Sequence, residues 1–169
     1  MNKQLKQILT TLGLILLVVV GLIWIGGGFK SKVPTASINE NYGGALTVEE
    51  SSYDFGTVSM ANGKVSKDFI LENQSQGNVK IGEIYTSCMC TEAEVKVGDK
   101  TYGPFGMPGH LSAGKANAII GPGEKVIVKT IFDPAAHGPS GVGPIERQIS
   151  VDAGAKEPII LGFKAVVTP

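Results

Sequence analysis

The sequence has few residues of the types that carry soft-metal or nucleophilic chemistry. Among its 169 residues are two cysteines, two histidines and four methionines. It also lacks an excess of charge, with 15 basic and 15 acidic side chains. This balance argues against nucleic acid as a partner, because such binding depends on neutralising phosphates with Lys and Arg. Beyond the N-terminal region no segment has the apolar spacing of a helix, which excludes a mainly helical domain.

Recognisable catalytic arrangements are also lacking. No Ser/His/Asp or Cys/His combination occurs with a nucleophile elbow. Gly103, Gly106 and Gly109 do not precede a predicted helix, so they do not form a phosphate-binding loop. The aspartates are scattered without the spacing of a calcium loop. A thiol oxidoreductase is not favoured, because there is neither a βαβ pattern nor a Cys-x-x-Cys motif. We therefore predict that the protein is not an enzyme.

The one long hydrophobic run lies at the N-terminus, from Ile8 to Ile25, and contains no charged residue. Extended to Phe29 it reaches about 20 residues, which is enough for a helix to cross a bilayer. A cleaved signal sequence is the alternative, although its apolar core would be shorter and end in an A-x-A-like site. We interpret residues 1–29 as an N-terminal transmembrane helix that attaches the protein to the membrane.

The basic residues around this run do not decide its orientation, because Lys3 and Lys6 precede it while Lys30 and Lys32 follow it. A short N-terminal tail before a folded C-terminal domain predicts a single-pass protein of the cell membrane, with that domain outside the cytoplasm. Residues 30–44 have no sustained apolar period and predict a flexible stalk.

From residue 45 to residue 169 the apolar residues alternate with polar ones, and Gly, Pro, Asn and Asp interrupt them at short intervals. The segment Lys125–Phe132 alternates cleanly, and Asn62–Gly63 is typical of a tight turn. Roughly seven to nine short strands with frequent turn residues predict an all-β fold, an immunoglobulin-like β-sandwich.

Several short motifs in this region resemble those of a known family. They are Tyr53-Asp-Phe-Gly-Thr-Val58, Phe69-x-Leu71-x-Asn73, Ser87-Cys88-x-Cys90-Thr91, Pro122-Gly-Glu124 and Phe132-Asp-Pro134. The family is a bacterial Ig-like one, catalogued as domain of unknown function 1573 and related to Ig-like domains of cilia and centrosome proteins. The resemblance covers about residues 46 to 167. It implies an extracytoplasmic β-sandwich and supplies no settled activity. This chain differs in having Met89 where glycine is common, and a Gly/Pro-rich insert at about residues 98–114.

The two cysteines, Cys88 and Cys90, follow an apolar-alternating run that ends at Tyr85. Side chains at i and i+2 of a strand point to one face, so we expect both thiols to face the same point and Met89 to face the core. On a strand their Cα atoms would lie roughly 6.5 Å apart, and a disulfide would be strained. We favour a shared metal ion. A small-loop disulfide and inert buried thiols are the alternatives.

Both histidines and one methionine follow in two Gly/Pro-rich loops. Thiolate, imidazole and thioether together form the ligand set of copper, and zinc suits the Cys/His part alone. Flanking Pro and Gly fix the geometry of these loops, although a lone loop histidine is usually only solvated. We therefore predict a copper site, with zinc as the alternative, whose ligands are Cys88, Cys90, His110, His137 and Met107.

The function predicted from these features is metal handling or electron transfer by a membrane-anchored, extracytoplasmic domain. The alternative is a non-catalytic adhesion or scaffolding module of the cell envelope with structural cysteines. The expected partners are the membrane, through the N-terminal helix, and another envelope protein.

Overall fold

The computed structural model describes residues 46–110 and 114–169, together with the positions 4, 13 and 17. These two ranges belong to the second of two units into which the chain divides, residues 37–169. The predicted stalk, and the predicted anchor apart from those three positions, lie outside the described residues. Within the part of the chain that is described, no helix has the length and apolar character needed to span a membrane.

The described residues form ten β-strands and two short 3-10 helices. The 3-10 helices are Met60–Asn62 and Gly138–Gly141. The strands are β1 Leu46–Val48, β2 Ser52–Ser59, β3 Val65–Asn73, β4 Val79–Thr86, β5 Thr91–Val97, β6 Lys100–Phe105, β7 Gly114–Ile120, β8 Lys125–Phe132, β9 Gly143–Val151 and β10 Ile159–Thr168.

Two five-stranded sheets make up the domain. One has the strand order β1-β3-β8-β5-β6 and the other the order β2-β10-β9-β4-β7. Strand β2 pairs in parallel with β10, whereas β10 and β9 are antiparallel. This arrangement confirms the predicted all-β sandwich, although the described residues form ten strands where seven to nine were predicted.

The core lies between the sheets and is built by the alternation of buried and exposed residues along each strand. In β8 the buried positions are Val126, Val128, Thr130 and Phe132, which leaves the alternate lysines exposed. Phe132 packs against Phe163 of β10 in the other sheet, with ring centroids 5.2 Å apart. Burying a side chain of this size contributes about 1.5–3 kcal/mol, so the contact helps to hold the two sheets together.

The segment that carries the cysteines is a turn between strands. Strand β4 ends at Thr86 in one sheet and β5 begins at Thr91 in the other, and the Thr91 amide donates to the carbonyl of Cys88 at 3.1 Å. The expectation of an extended Cys-x-Cys strand was therefore wrong, because the chain has to reverse here to enter the second sheet. Met89 is 44% exposed and does not face the core.

Candidate metal centre

Cys88, Cys90 and His137 form a compact group of potential metal ligands. The Sγ atom of Cys88 lies 3.2 Å from Nε2 of His137. One ligand atom from each of the three side chains lies within 4.8 Å of the other two. Metal–sulfur and metal–nitrogen bonds of about 2.3 and 2.0 Å place the donor atoms of one ion up to roughly 4.5 Å apart. The three side chains are thus already close to ligand distance.

Hydrogen bonds on both sides hold the cysteine turn in place. The buried Thr86 hydroxyl lies 3.0 Å from the carbonyl oxygens of both Cys88 and Thr91, to either of which it can donate. The Ser87 amide donates to the Gln148 carbonyl at 2.9 Å, and the Gln148 amide donates to Ser87 Oγ at 2.9 Å. The turn is therefore fixed to strand β9 as well as to its own strands.

His137 is positioned by the loop that follows β8. The Asp133 amide donates to the Cys90 carbonyl at 2.9 Å, which ties the start of this loop directly to the cysteine turn. The Asp133 carboxylate then accepts from the Ala135 amide at 2.9 Å. Gly138, next to the histidine, has a φ of +56°, a conformation that glycine adopts without strain. The Asp-Pro-Ala-Ala-His-Gly-Pro sequence thus encodes a loop that brings the imidazole to Cys88.

Arg147 of β9 is the fourth side chain of the centre. Its Nε donates to Cys90 Sγ at 3.3 Å, and its Nη1 donates to the Glu146 carbonyl at 2.7 Å. Sequence reasoning missed this residue, because an arginine in an alternating strand indicates only a solvent-facing charge. Only the tertiary packing of β9 beside the cysteine turn reveals its partner.

The two thiols differ in acidity. Burial alone would raise the pKa of Cys88. Hydrogen bonds from the Cys90 thiol, the His137 ring and the Cys90 amide oppose this effect, as does the charge of Arg147. Together they lower the pKa of Cys88 to about 7. Burial raises the pKa of Cys90, and the neighbouring Cys88 raises it further, against the hydrogen bond from Arg147. Both thiols are free. We therefore expect Cys88 to be the more reactive of the pair, because the thiolate is the nucleophile and the metal ligand.

A groove connects the centre to solvent. This groove of about 600 Å³ is lined by Ser87, Cys88, His137, Glu146, Arg147 and Gln148. Cys90 does not line it and is 3% exposed. An incoming ion or ligand would therefore reach Cys88 and His137 first.

The other two predicted ligands, Met107 and His110, lie in the turn that follows β6. The His110 amide donates to the Met107 carbonyl at 3.1 Å. Met107 is half-buried and His110 is exposed. Among the described residues, the group within 4.8 Å contains Cys88, Cys90 and His137 and does not include His110. A ligand role for Met107 and His110 stays a prediction.

Residues 46–103 match the family model described as protein of unknown function (DUF1573), which confirms the predicted resemblance to this family. The matched range contains both cysteines and ends before His137 and Arg147. No curated protein matches the sequence significantly.

The fold is shared by a solved structure of low sequence identity. A protein of unknown function from Porphyromonas gingivalis is 16% identical with a TM-score of 0.52, over 73% of this chain and 46% of that one. This chain thus spans less than half the length of that protein, and the similarity concerns the fold alone. PapD-like domain 7 of human CEP192 is 12% identical with a TM-score of 0.44, over 73% of this chain and 85% of that domain.

Proposed function

We propose that this Ig-like domain is a non-catalytic module that binds a soft metal ion, copper, through Cys88, Cys90 and His137. The observation that supports the proposal is the approach of three ligand atoms to within 4.8 Å. They come from two separate loops, and the Asp133 amide bonds one loop to the other. Folding alone brings the three side chains together.

The chemistry of the donors supports copper over the hard cations. Two sulfurs and one imidazole nitrogen are soft or borderline ligands, whereas Mg²⁺ and Ca²⁺ require oxygen. Zinc shares this ligand preference and is the alternative ion. The groove next to Cys88 and His137 supports metal handling, because an exchanging ligand can reach the ion from that side. Electron transfer is the second role that this ligand set allows.

A second candidate function is supported by the burial of Cys90. With 3% of its surface exposed, this residue packs with the hydrophobic core. Its thiol could therefore be a structural element of an adhesion or scaffolding module, and the groove would have no metal-related role. The same experiment separates the two candidates.

The test is the copper content of the full-length protein, purified in detergent under reducing and anaerobic conditions. After loading with Cu(I) and desalting, we expect one copper per chain by elemental analysis. Cys88→Ser and His137→Ala should lose it. His110→Ala is the matched control and should retain it, whereas its loss would add His110 to the ligands. A wild-type protein without copper and two hydrogens lighter than its reduced mass would exclude metal binding.

The membrane attachment is proposed on the sequence alone. Residues 1–29 would anchor the chain and residues 30–44 would hold the domain outside the cytoplasm. The membrane is then one partner and another envelope protein a second, with no role for nucleic acid. We expect the protein to resist extraction with carbonate. We also expect protease added outside intact cells or spheroplasts to digest the domain. Protection from that protease would reverse the orientation.

A further inference from the structure

The side chain of Arg147 brings a permanent positive charge to the proposed metal ligands. Its guanidinium Nε lies 3.3 Å from Cys90 Sγ. The Arg147 side chain also lines the groove, together with Cys88 and His137. Arginine stays protonated in proteins, so this charge is present at every pH at which the domain is folded. Any ion that binds between the sulfurs therefore has a cation beside it.

The charges of the centre can be summed. Metal binding requires both thiols to be deprotonated and the imidazole to be neutral, which gives the three ligands a charge of −2. The guanidinium adds +1, so ligands and arginine together carry −1. A monovalent ion makes the centre neutral, whereas a divalent ion leaves it at +1. A net charge held in a partly desolvated site is unfavourable, and the ion's own charge is often the largest local term.

The other charged group that lines the groove does not change this balance. Glu146 precedes Arg147 in β9, and its side chain is exposed. Water and salt screen an exposed carboxylate strongly. The contact of Arg147 with Cys90 is shielded instead, because the sulfur it reaches is buried.

We infer that Arg147 is a specificity-determining residue that makes the centre selective for Cu(I) over Zn(II). This inference rests on the proposed function, since it concerns the same three ligands. The number of ligands agrees with it. Zinc in proteins is almost always four-coordinate and would need a further ligand from the groove, whereas Cu(I) is stable with three soft donors.

The experiment compares affinities for the two ions in full-length protein in detergent, at one pH and under anaerobic conditions. Cu(I) and Zn(II) are each titrated against a chromogenic chelator of known affinity. The positive charge of Arg147 repels a divalent ion twice as strongly as a monovalent ion, so removing it favours Zn(II) more than Cu(I). Arg147→Gln should therefore lower the ratio of Cu(I) to Zn(II) affinity by about tenfold or more. A higher thiol pKa in the variant would weaken both ions equally and leave the ratio unchanged.

Two further variants make the result decisive. Arg147→Lys keeps the charge and should keep the ratio within about threefold, while Glu146→Gln, which alters a neighbouring exposed charge, should leave it within about twofold. An unchanged ratio in Arg147→Gln, or an equal fall in Arg147→Lys, overturns the inference while copper binding stands. A wild-type protein that binds neither ion overturns the proposed function itself.

Discussion

The Sγ atom of Cys88 lies 3.2 Å from Nε2 of His137, although 49 positions separate the two residues in the chain. The contact joins the turn between β4 and β5 to the loop after β8. It depends on the hydrogen bond from the Asp133 amide to the Cys90 carbonyl, which places one loop on the other. Substitutions of residues that hold these two loops in place are therefore expected to change the geometry of the centre, even though they do not alter its ligands.

Removal of the Thr86 hydroxyl should destabilise the cysteine turn. Thr86 is 1% exposed, and its hydroxyl serves the carbonyls of Cys88 and Thr91. Thr86→Val leaves these carbonyls without that donor, which should lower the free energy of unfolding by about 1–3 kcal/mol. Urea denaturation monitored by circular dichroism measures this change.

The matched control is Thr130→Val in strand β8. Thr130 is 0% exposed, and its hydroxyl has no hydrogen-bond partner among the described residues. The same substitution there removes an unsatisfied polar atom, so it should be neutral or stabilising by up to about 1 kcal/mol. Equal destabilisation by the two variants would contradict the role assigned to Thr86.

Asp133→Ala should weaken copper binding through the position of His137. The carboxylate of Asp133 accepts from the Ala135 amide at 2.9 Å and fixes the first turn of the loop. Loss of a residue that orients a ligand typically costs about 10–100-fold in metal affinity. Chelator competition with Cu(I) measures the change. Asp133→Asn keeps an acceptor oxygen and should bind within about threefold of wild type; a loss as large as that of alanine would show that the charge, and not the turn, matters.

Alkylation of Cys88 in the reduced, metal-free protein should follow a titration centred near neutrality. Hydrogen bonds and the charge of Arg147 outweigh burial and lower the pKa of Cys88 to about 7. The thiolate is the reacting form, so the iodoacetamide rate should level off above this pH and fall about tenfold per unit below it. Tandem mass spectrometry distinguishes Cys88 from Cys90, which should react more slowly because burial raises its pKa.

Two variants test the cause of this shift. His137→Ala removes one hydrogen bond to the thiolate and should move the midpoint toward that of a free thiol, about 8.5. His110→Ala should leave the profile unchanged, since His110 is exposed and outside the group. A wild-type midpoint near 8.5 would contradict the electrostatic description of the centre.

Asn73→Ala should be among the more damaging substitutions of a polar residue. The Asn73 side chain is fully buried, and its Nδ2 lies 2.8–3.0 Å from the carbonyl oxygens of Gly77, Ile120 and Gly121, among which its two N–H groups can donate. Truncation removes the donor to the buried Ile120 carbonyl and to two partly buried carbonyls, at a cost of about 1–3 kcal/mol. Asn117→Gly is the control, because Asn117 is exposed with a φ of +50° that glycine also adopts. Chemical denaturation that finds similar stabilities for both variants would contradict the prediction.

The alternating pattern predicts the fold well, because burial between two sheets acts on every second residue. Strand β8 is an example, since the segment Lys125–Phe132 alternates in sequence and has the same bounds in the structure. The pattern fails at Cys88–Cys90. This turn contains no Gly, Pro, Asn or Asp. The hydrogen bonds that hold it come from its flanking threonines and also from β9 and the start of the loop after β8, which are distant in sequence.

The candidate centre was partly visible in the sequence. Rarity singles out Cys88, Cys90 and His137, and the glycine and proline after His137 indicate a fixed loop. No feature of the sequence distinguishes Arg147 from the other basic residues, because its contact with Cys90 depends on how β9 packs beside the turn. Local composition can point to ligands, but the groups that tune them come from the tertiary arrangement.

With an ion bound as proposed, the position of the cysteine turn between the two sheets would affect the lifetime of the protein. An ion held by that turn and by the loop after β8 would cross-link the two segments in the folded state and not in the unfolded one. At a free metal concentration a thousand times the dissociation constant, such binding would raise the free energy of unfolding by about 4 kcal/mol. Cellular proteases degrade opened chains first, so starvation for the ion would shorten the half-life of the domain and couple its abundance to metal supply.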